Sequence, residues 1–416
     1  MHSVLTLLQN TKIRNKKEYY YILLLFALWG NVVLNFGIVA VSKVLHIVGL
    51  QVYLYNAIIV ILSLLSIGYW GRRSSFLEKL LLAIFNLAYV FSILINPEYK
   101  SLISFYPQFL FACLCYLIIK PINVNKLDKP LFYISVANVL FSAFYHFVYI
   151  HRAGYSGETM VDSESGDMMS KAYAVLPSVL YVLWTTIRNL RLTKLNSWIN
   201  IGISALACLL ISSFGTRGAF VCMGFFLVSY VFLFVKHRNA IIIKVISLFI
   251  GILIYIKLDL LLNMMINLTS SLGMSSRIFT YVAAGTFIEG AESSDIRIWL
   301  IEVLSKELDK NPGMAWTGHG ICGWEPFIHA YPHNLYYDIV FCYGYLLGYL
   351  FFAWLAILLL RSFISNSIDT LTKGFILIMV STGIVILFMS GTYLTEYRFF
   401  MAISLCVYNL RYSKTI

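Results

Sequence analysis

Residues 212–220 read SSFGTRGAF, with a long apolar run on each side, and Arg217 is the only charged residue between Lys194 and Lys236. If 197–235 formed one helix, at 1.5 Å per residue it would be nearly twice as long as a bilayer core of ~30 Å. The chain must therefore turn near Gly215 and Gly218, where glycine accepts the required backbone. Arg217 sits on that turn. An arginine at the lip of a hydrocarbon span is costly unless a polar or anionic group meets it. Two apolar spans joined by a charged, glycine-bearing tip make this a helical membrane chain.

The composition agrees. Sixty per cent hydrophobic and 12% charged residues exclude an ordinary soluble domain. Apolar runs lie at roughly 19–41, 50–70, 80–95, 101–119, 130–150, 172–187, 197–213, 219–235, 241–258, 335–360, 374–390 and 397–410. They predict an all-α polytopic protein with about twelve transmembrane helices, a single integral membrane domain over 1–416. The basic cluster near the start abuts the first apolar run, which suits a first span acting as its own insertion signal. Cys113, Cys115, Cys208, Cys222, Cys342 and Cys406 fall inside apolar runs and only Cys322 lies outside them. Neither a disulfide framework nor a metal spacing emerges.

A net charge of +12 could suggest nucleic acid, but its distribution excludes that partner. Alternate connections on one side carry 20 Lys and Arg against 4 Asp and Glu; the other side carries 11 against 15. The positive-inside rule then puts both termini in the cytoplasm. It also puts the long 259–333 connection and the hairpin tip at Arg217 on the outer, periplasmic face. A connection of that length is usually functional or carries structure of its own.

Within the long loop, SSDIRIWLIEVLSKELDKNPG predicts an amphipathic helix that ends at Asn311-Pro312-Gly313. Its apolar stripe would run through positions 296, 299, 300, 303, 304 and 308, lying on the membrane or on the protein body. Arg297 would fall in the first turn, where free N–H groups favour an anion, or would snorkel to lipid headgroups. Beyond it, three glycines and two prolines make an irregular segment carrying His319, His329 and His333. His333, between Pro332 and the last long outer-facing span, is the best placed to move a proton; as an alternative it is an interfacial polar residue. The three histidines match no standard zinc spacing. Glu396 and Arg398 suggest a local ion pair, and Arg277 is a further outer cation.

Several pieces occur in a set order. Thr216-Arg217-Gly218 forms a turn between middle spans, and Arg297, with Trp299 one position short of an R-x-x-W pattern, opens a loop helix. Gly318-His319-Gly320 follows, then His333-Asn334 leading to Gly344 in a long span. Together they resemble the bacterial O-antigen polymerase and O-antigen ligase superfamily, over roughly 198–360 in motif and the whole chain in topology. The resemblance implies a GT-C-like membrane glycosyltransferase of the bacterial inner membrane, working at its outer face without metal or other cofactor. Its donor and acceptor would be undecaprenyl-pyrophosphate-linked oligosaccharides, with a chain-length regulator protein as a further partner. It implies that Arg217 and Arg297, with Arg277 and Arg398 as additions, hold the pyrophosphate. His333 would be the general base of an inverting transfer, and Asn334, Tyr336 and His319 would orient the sugar, although Asn334 could equally cap a helix. Polymerase is favoured, ligase is the alternative, and a flippase fits less well because no half-to-half repeat is visible.

Overall fold

The computed structural model describes residues 16–35, 37–38, 50–150, 165–190, 195–214, 216–234, 263–264, 266–267, 292–328 and 331–412. Among the described residues all regular structure is helical. In chain order the α-helices are α1 (Lys16–Trp29), α2 (Leu50–Trp70), α3 (Phe76–Ile95), α4 (Lys100–Ile119) and α5 (Val124–Phe144). They continue with α6 (Ser165–Arg188), α7 (Leu195–Ser213), α8 (Arg217–Phe234), α9 (Glu292–Lys310) and α10 (Pro312–Thr317). The last are α11 (Glu325–Ile328), α12 (Leu335–Ile364), α13 (Thr370–Gly383) and α14 (Tyr397–Tyr412).

Among the described residues eight helical stretches are long and apolar enough to cross a bilayer: α2, α3, α4, α5, α7, α8, α12, and α13 with the 3-10 turn Val385–Phe388 that follows it. The chain is thus a helical membrane protein. Of the other expected spans, 172–187 lies within α6, 397–410 within α14, and 19–41 is described in part as α1; 241–258 lies outside the described residues. The turn required by the length of 197–235 is present, since α7 ends at Ser213 and α8 begins at Arg217. Gly215 itself lies outside the described residues.

The chain packs as two compact units. The first comprises 1–71 and 123–285. In it α1 packs on α2, and α6 packs on α5 and α7. A polar node ties α1, α5 and α6: Asn138 Nδ2 donates to Trp29 O (2.8 Å) and Ser178 Oγ (2.7 Å), and Trp29 Nε1 donates to Ser135 Oγ (2.8 Å). Buried amides in apolar surroundings need such partners. After α5 the helix widens into a π-turn, Tyr145–Ile150, which sets the His146 ring 4.8 Å from Phe214 in the α7–α8 turn.

The second unit comprises 72–122 and 286–416 and contains the long-loop helices. Here α14 packs on α4 and α13, and α13 is buried along nearly all its length. By contrast α3 turns a row of large apolar side chains outward. Ion pairs occur between residues of one charge-assigned side. Glu78 meets Lys120 (2.6 Å) and Arg411 (3.7 Å) in this unit. Asp128 meets Arg188 (2.7 Å) and Glu18 meets Lys126 (3.9 Å) in the first.

The 30-residue α12 is two helices joined at a kink, because Gly344 has φ 79° and ψ 169°. The segment before the kink is mostly buried: Leu335, Asp338, Ile339, Val340, Phe341 and Cys342 all face protein. After it, Leu346, Leu347, Leu350, Ile357 and Leu360 are exposed. That second part, residues 345–364, is about 20 residues, the length that crosses ~30 Å of hydrocarbon.

Candidate functional site

The long loop is anchored on the α12 kink by glycine. A Cβ on Gly344 would lie 2.2 Å from Trp316 O, and one on Gly318 would lie 2.4 Å from Cys342 O. Both residues have positive φ, the left-handed region that side chains disfavour. The broken helix leaves carbonyls without their usual acceptance, and the loop supplies donors. His319 N–H donates to Phe341 O and Gly320 N–H to Cys342 O, each at 2.9 Å. The G-x-G pattern and Gly344, which the sequence presents as separate signals, are two halves of one contact.

A buried carboxylate reinforces it. Asp338, 0% exposed, accepts from Trp324 Nε1 (3.0 Å) and from Thr392 Oγ1 (2.6 Å). It thereby joins the loop, α12 and the segment before α14. Sequence analysis missed Asp338, although a lone acid in the apolar run 335–360 is a recognisable signal.

His333 stands on this platform. Its φ is 54°, a left-handed conformation for a residue with a side chain, and such strain persists only where surroundings hold it. The neighbouring Tyr331 ring lies 4.1 Å from the imidazole, and Tyr331 also meets Phe105 of α4 at 6.4 Å. The Nδ1 atom of His333 is buried and has no hydrogen-bond partner among the described residues. Burial, and after it the positive charge of Arg297, push the imidazole down to about 4. The ring is therefore neutral at pH 7, and a weaker base than an ordinary imidazole. Arg297 acts on Tyr331 too, lowering a phenol that burial raises. Tyr331 and His333 are thus in ring contact, and the field of Arg297 reaches both.

The loop helix α9 that carries Arg297 rests on the protein body: Leu300, Leu304 and Leu308 are buried, and Ser305 Oγ donates to Tyr337 Oη of α12 (3.3 Å). Two expectations need correction. Trp299 does not belong to the buried stripe; it is 52% exposed. The helix begins at Glu292, so Arg297 falls in the second turn, beyond the free N–H groups of the helix end. Its place is set by the inward stripe, four, seven and eleven residues before Ile301, Leu304 and Leu308.

The other expected residues have individual settings. Asn334 caps α12, its Oδ1 accepting from Tyr336 N–H at 2.9 Å. Tyr336 meets Tyr349 through their hydroxyls (3.1 Å) and stacks on Phe352. His319 stacks on Phe341 with 4.2 Å between ring centroids, and burial lowers its pKa. Arg398 is held by Glu396 through Nε (2.6 Å) and Nη2 (2.8 Å), the local pair that the sequence suggested. Arg217 is the first residue of α8, half-buried, in the first unit. Arg277 and His329 lie outside the described residues. Among the described residues no group of three His, Cys, Asp or Glu side chains is arranged to hold a metal ion.

Comparison with protein-family models, curated proteins and solved structures finds no match to this chain.

Proposed function

We propose that the protein is a membrane glycosyltransferase that polymerises undecaprenyl-pyrophosphate-linked oligosaccharide repeat units, with ligation to a lipid A core as the second reading. The observation that carries the proposal is the buried Nδ1 of His333, without a hydrogen-bond partner among the described residues, on a ring held by a left-handed backbone and within the electrostatic reach of Arg297. A sugar hydroxyl gives its proton to the imidazole as its oxygen attacks the anomeric carbon. The bond from that carbon to the pyrophosphate oxygen breaks, inverting the centre. Negative charge grows on the departing lipid pyrophosphate, and the Arg297 cation would oppose it. That anion would in turn offset the field of Arg297 on His333 and make the base stronger once donor is bound.

Arg217 is retained as a pyrophosphate ligand on the Thr-Arg-Gly pattern alone, and Arg277 on its sequence position. Arg398, paired with Glu396, would be a further cation for the pyrophosphate. Tyr336 and His319 offer ring faces to a sugar. The reading also includes about twelve spans, cytoplasmic termini and an active site on the outer face of the inner membrane. The ion pairs of Glu18, Glu78 and Asp128, each made within one charge-assigned side, support that topology.

The test is to incubate purified protein with lipid-linked repeat units alone. Polymer formation that is lost in His333→Ala and Arg297→Ala supports polymerase. Product only after addition of lipid A core makes the protein a ligase, and wild-type product from both variants refutes the mechanism.

A further inference from the structure

The loop helix α10 is only six residues long, yet it exposes large apolar side chains. Trp316 is 60% exposed, and Met314 is also exposed. Its other side is committed: Ala315 is buried, and the backbone of Trp316 is pressed on Gly344. The Trp316 ring lies 6.0 Å from that of Tyr345, edge to face. Tyr345 opens the stretch of α12 in which Leu346, Leu347 and Leu350 are exposed. The exposed surface of α10 is therefore continuous with a membrane-facing helix surface.

We infer that α10 is seated in the outer leaflet, with Trp316 and Met314 at the boundary between headgroups and acyl chains. The kink supplies the depth. Residues 345–364 match the hydrocarbon thickness, so Gly344 and the α10 backbone against it stand at the hydrocarbon edge. Indole rings favour that level because an apolar body and a polar N–H are both accommodated. Water would be a poor partner for this surface, whereas lipid solvates Met314 and Trp316 without any further protein. The inference does not depend on the proposed activity. If that activity is also correct, α10 fixes the loop at the level where a lipid-borne pyrophosphate lies.

The experiment is site-directed spin labelling of the full chain in lipid nanodiscs, at Trp316→Cys, Leu346→Cys and Glu302→Cys. Accessibility to dissolved oxygen is compared with accessibility to a water-soluble nickel chelate. Positions 316 and 346 should both favour oxygen, and exposed position 302 should favour the chelate. A chelate preference at 316 comparable to that at 302 would overturn the inference. A second measurement covers loss of fold in the cysteine variant. Tryptophan emission of the unmodified protein is quenched with lipids brominated near the headgroup, and Trp316→Phe should remove part of the quenchable signal. No change in the quenchable fraction would overturn the inference as well.

Discussion

Replacing Gly344 with alanine probes the contact that holds the long loop. The new methyl would sit 2.2 Å from Trp316 O, a backbone atom, where separations below 3.0 Å force something to move. Alanine at a φ of 79° and ψ of 169° adds about 1–3 kcal/mol of its own. If the loop backs away, the two bonds from His319 and Gly320 to the open carbonyls weaken, at about 1 kcal/mol each. A total of about 3–5 kcal/mol should open this contact locally, at a free energy below that of global unfolding. Amide exchange of 318–322 in nanodiscs should then accelerate about a hundred- to several-thousandfold, while α13, buried along nearly all its length, stays protected. Gly320→Ala is the internal control. It has φ 87° but nothing within 4 Å of its Cβ position, so it should show the backbone cost alone, about 1–2 kcal/mol. Gly318→Ala with Gly344→Ala should be less than additive, since both disrupt one interface. Unchanged exchange at 318–322 in Gly344→Ala, or equal effects from Gly320→Ala, would refute the reasoning.

His333 should titrate with a midpoint near 4 by NMR of labelled histidine, rising in Arg297→Gln because the second cause of its depression is gone. A depressed histidine stabilises the fold above its ordinary value of about 6.5, and that contribution is lost as pH falls through the folded value; a midpoint near 6.5 in both proteins would contradict the burial and the field of Arg297. Asp338→Ala leaves the Trp324 indole N–H and Thr392 hydroxyl unpaired in a buried place, so it should cost about 2–4 kcal/mol in thermal melting, and Asp338→Asn, which can still accept and donate, should cost less. Asn334→Ala should lose about 1 kcal/mol through the α12 cap, with Asn334→Asp restoring most of it.

Much of this was legible in the sequence because membrane helices announce themselves by length and charge. Trp70, Ile95, Ile119 and Ser213 end their helices where the apolar runs end, since the bilayer imposes one length on each span. Capping residues and an apolar stripe marked α9, and glycine and proline marked the stop after Asn311 and the irregular loop. The stripe on α9 was harder. Composition favours Trp299 as core, but an indole also suits an interface, and periodicity alone does not say which neighbour an edge faces. The kink was hidden for a different reason. Gly344 sits inside an unbroken apolar run, and a single glycine there is compatible with a straight helix. Only the approach of the Trp316 backbone makes a break necessary.

Asp338 explains how that break is tolerated. A non-helical turn within a long apolar helix frees carbonyls that lipid cannot satisfy, so such turns survive only where protein covers them. The loop 318–324 covers this one, but its own backbone hydrogen bonds are few and its glycines cost conformational entropy on ordering. Something must hold it in place, and the carboxylate does so from the helix side, bonded to Trp324 of the loop and to Thr392 before α14. Trp324 is itself fully buried, with its ring 6.5 Å from Phe105 of α4. The acid therefore sits in the protein-covered first part of α12, where hydrogen bonds can support it, and the exposed apolar part begins only beyond Gly344. His333 lies five residues before Asp338 and His319 five before Trp324. The platform for the histidines and the covering of the kink are thus the same construction, which is why glycine, acid and histidine occur together in this one region of the chain.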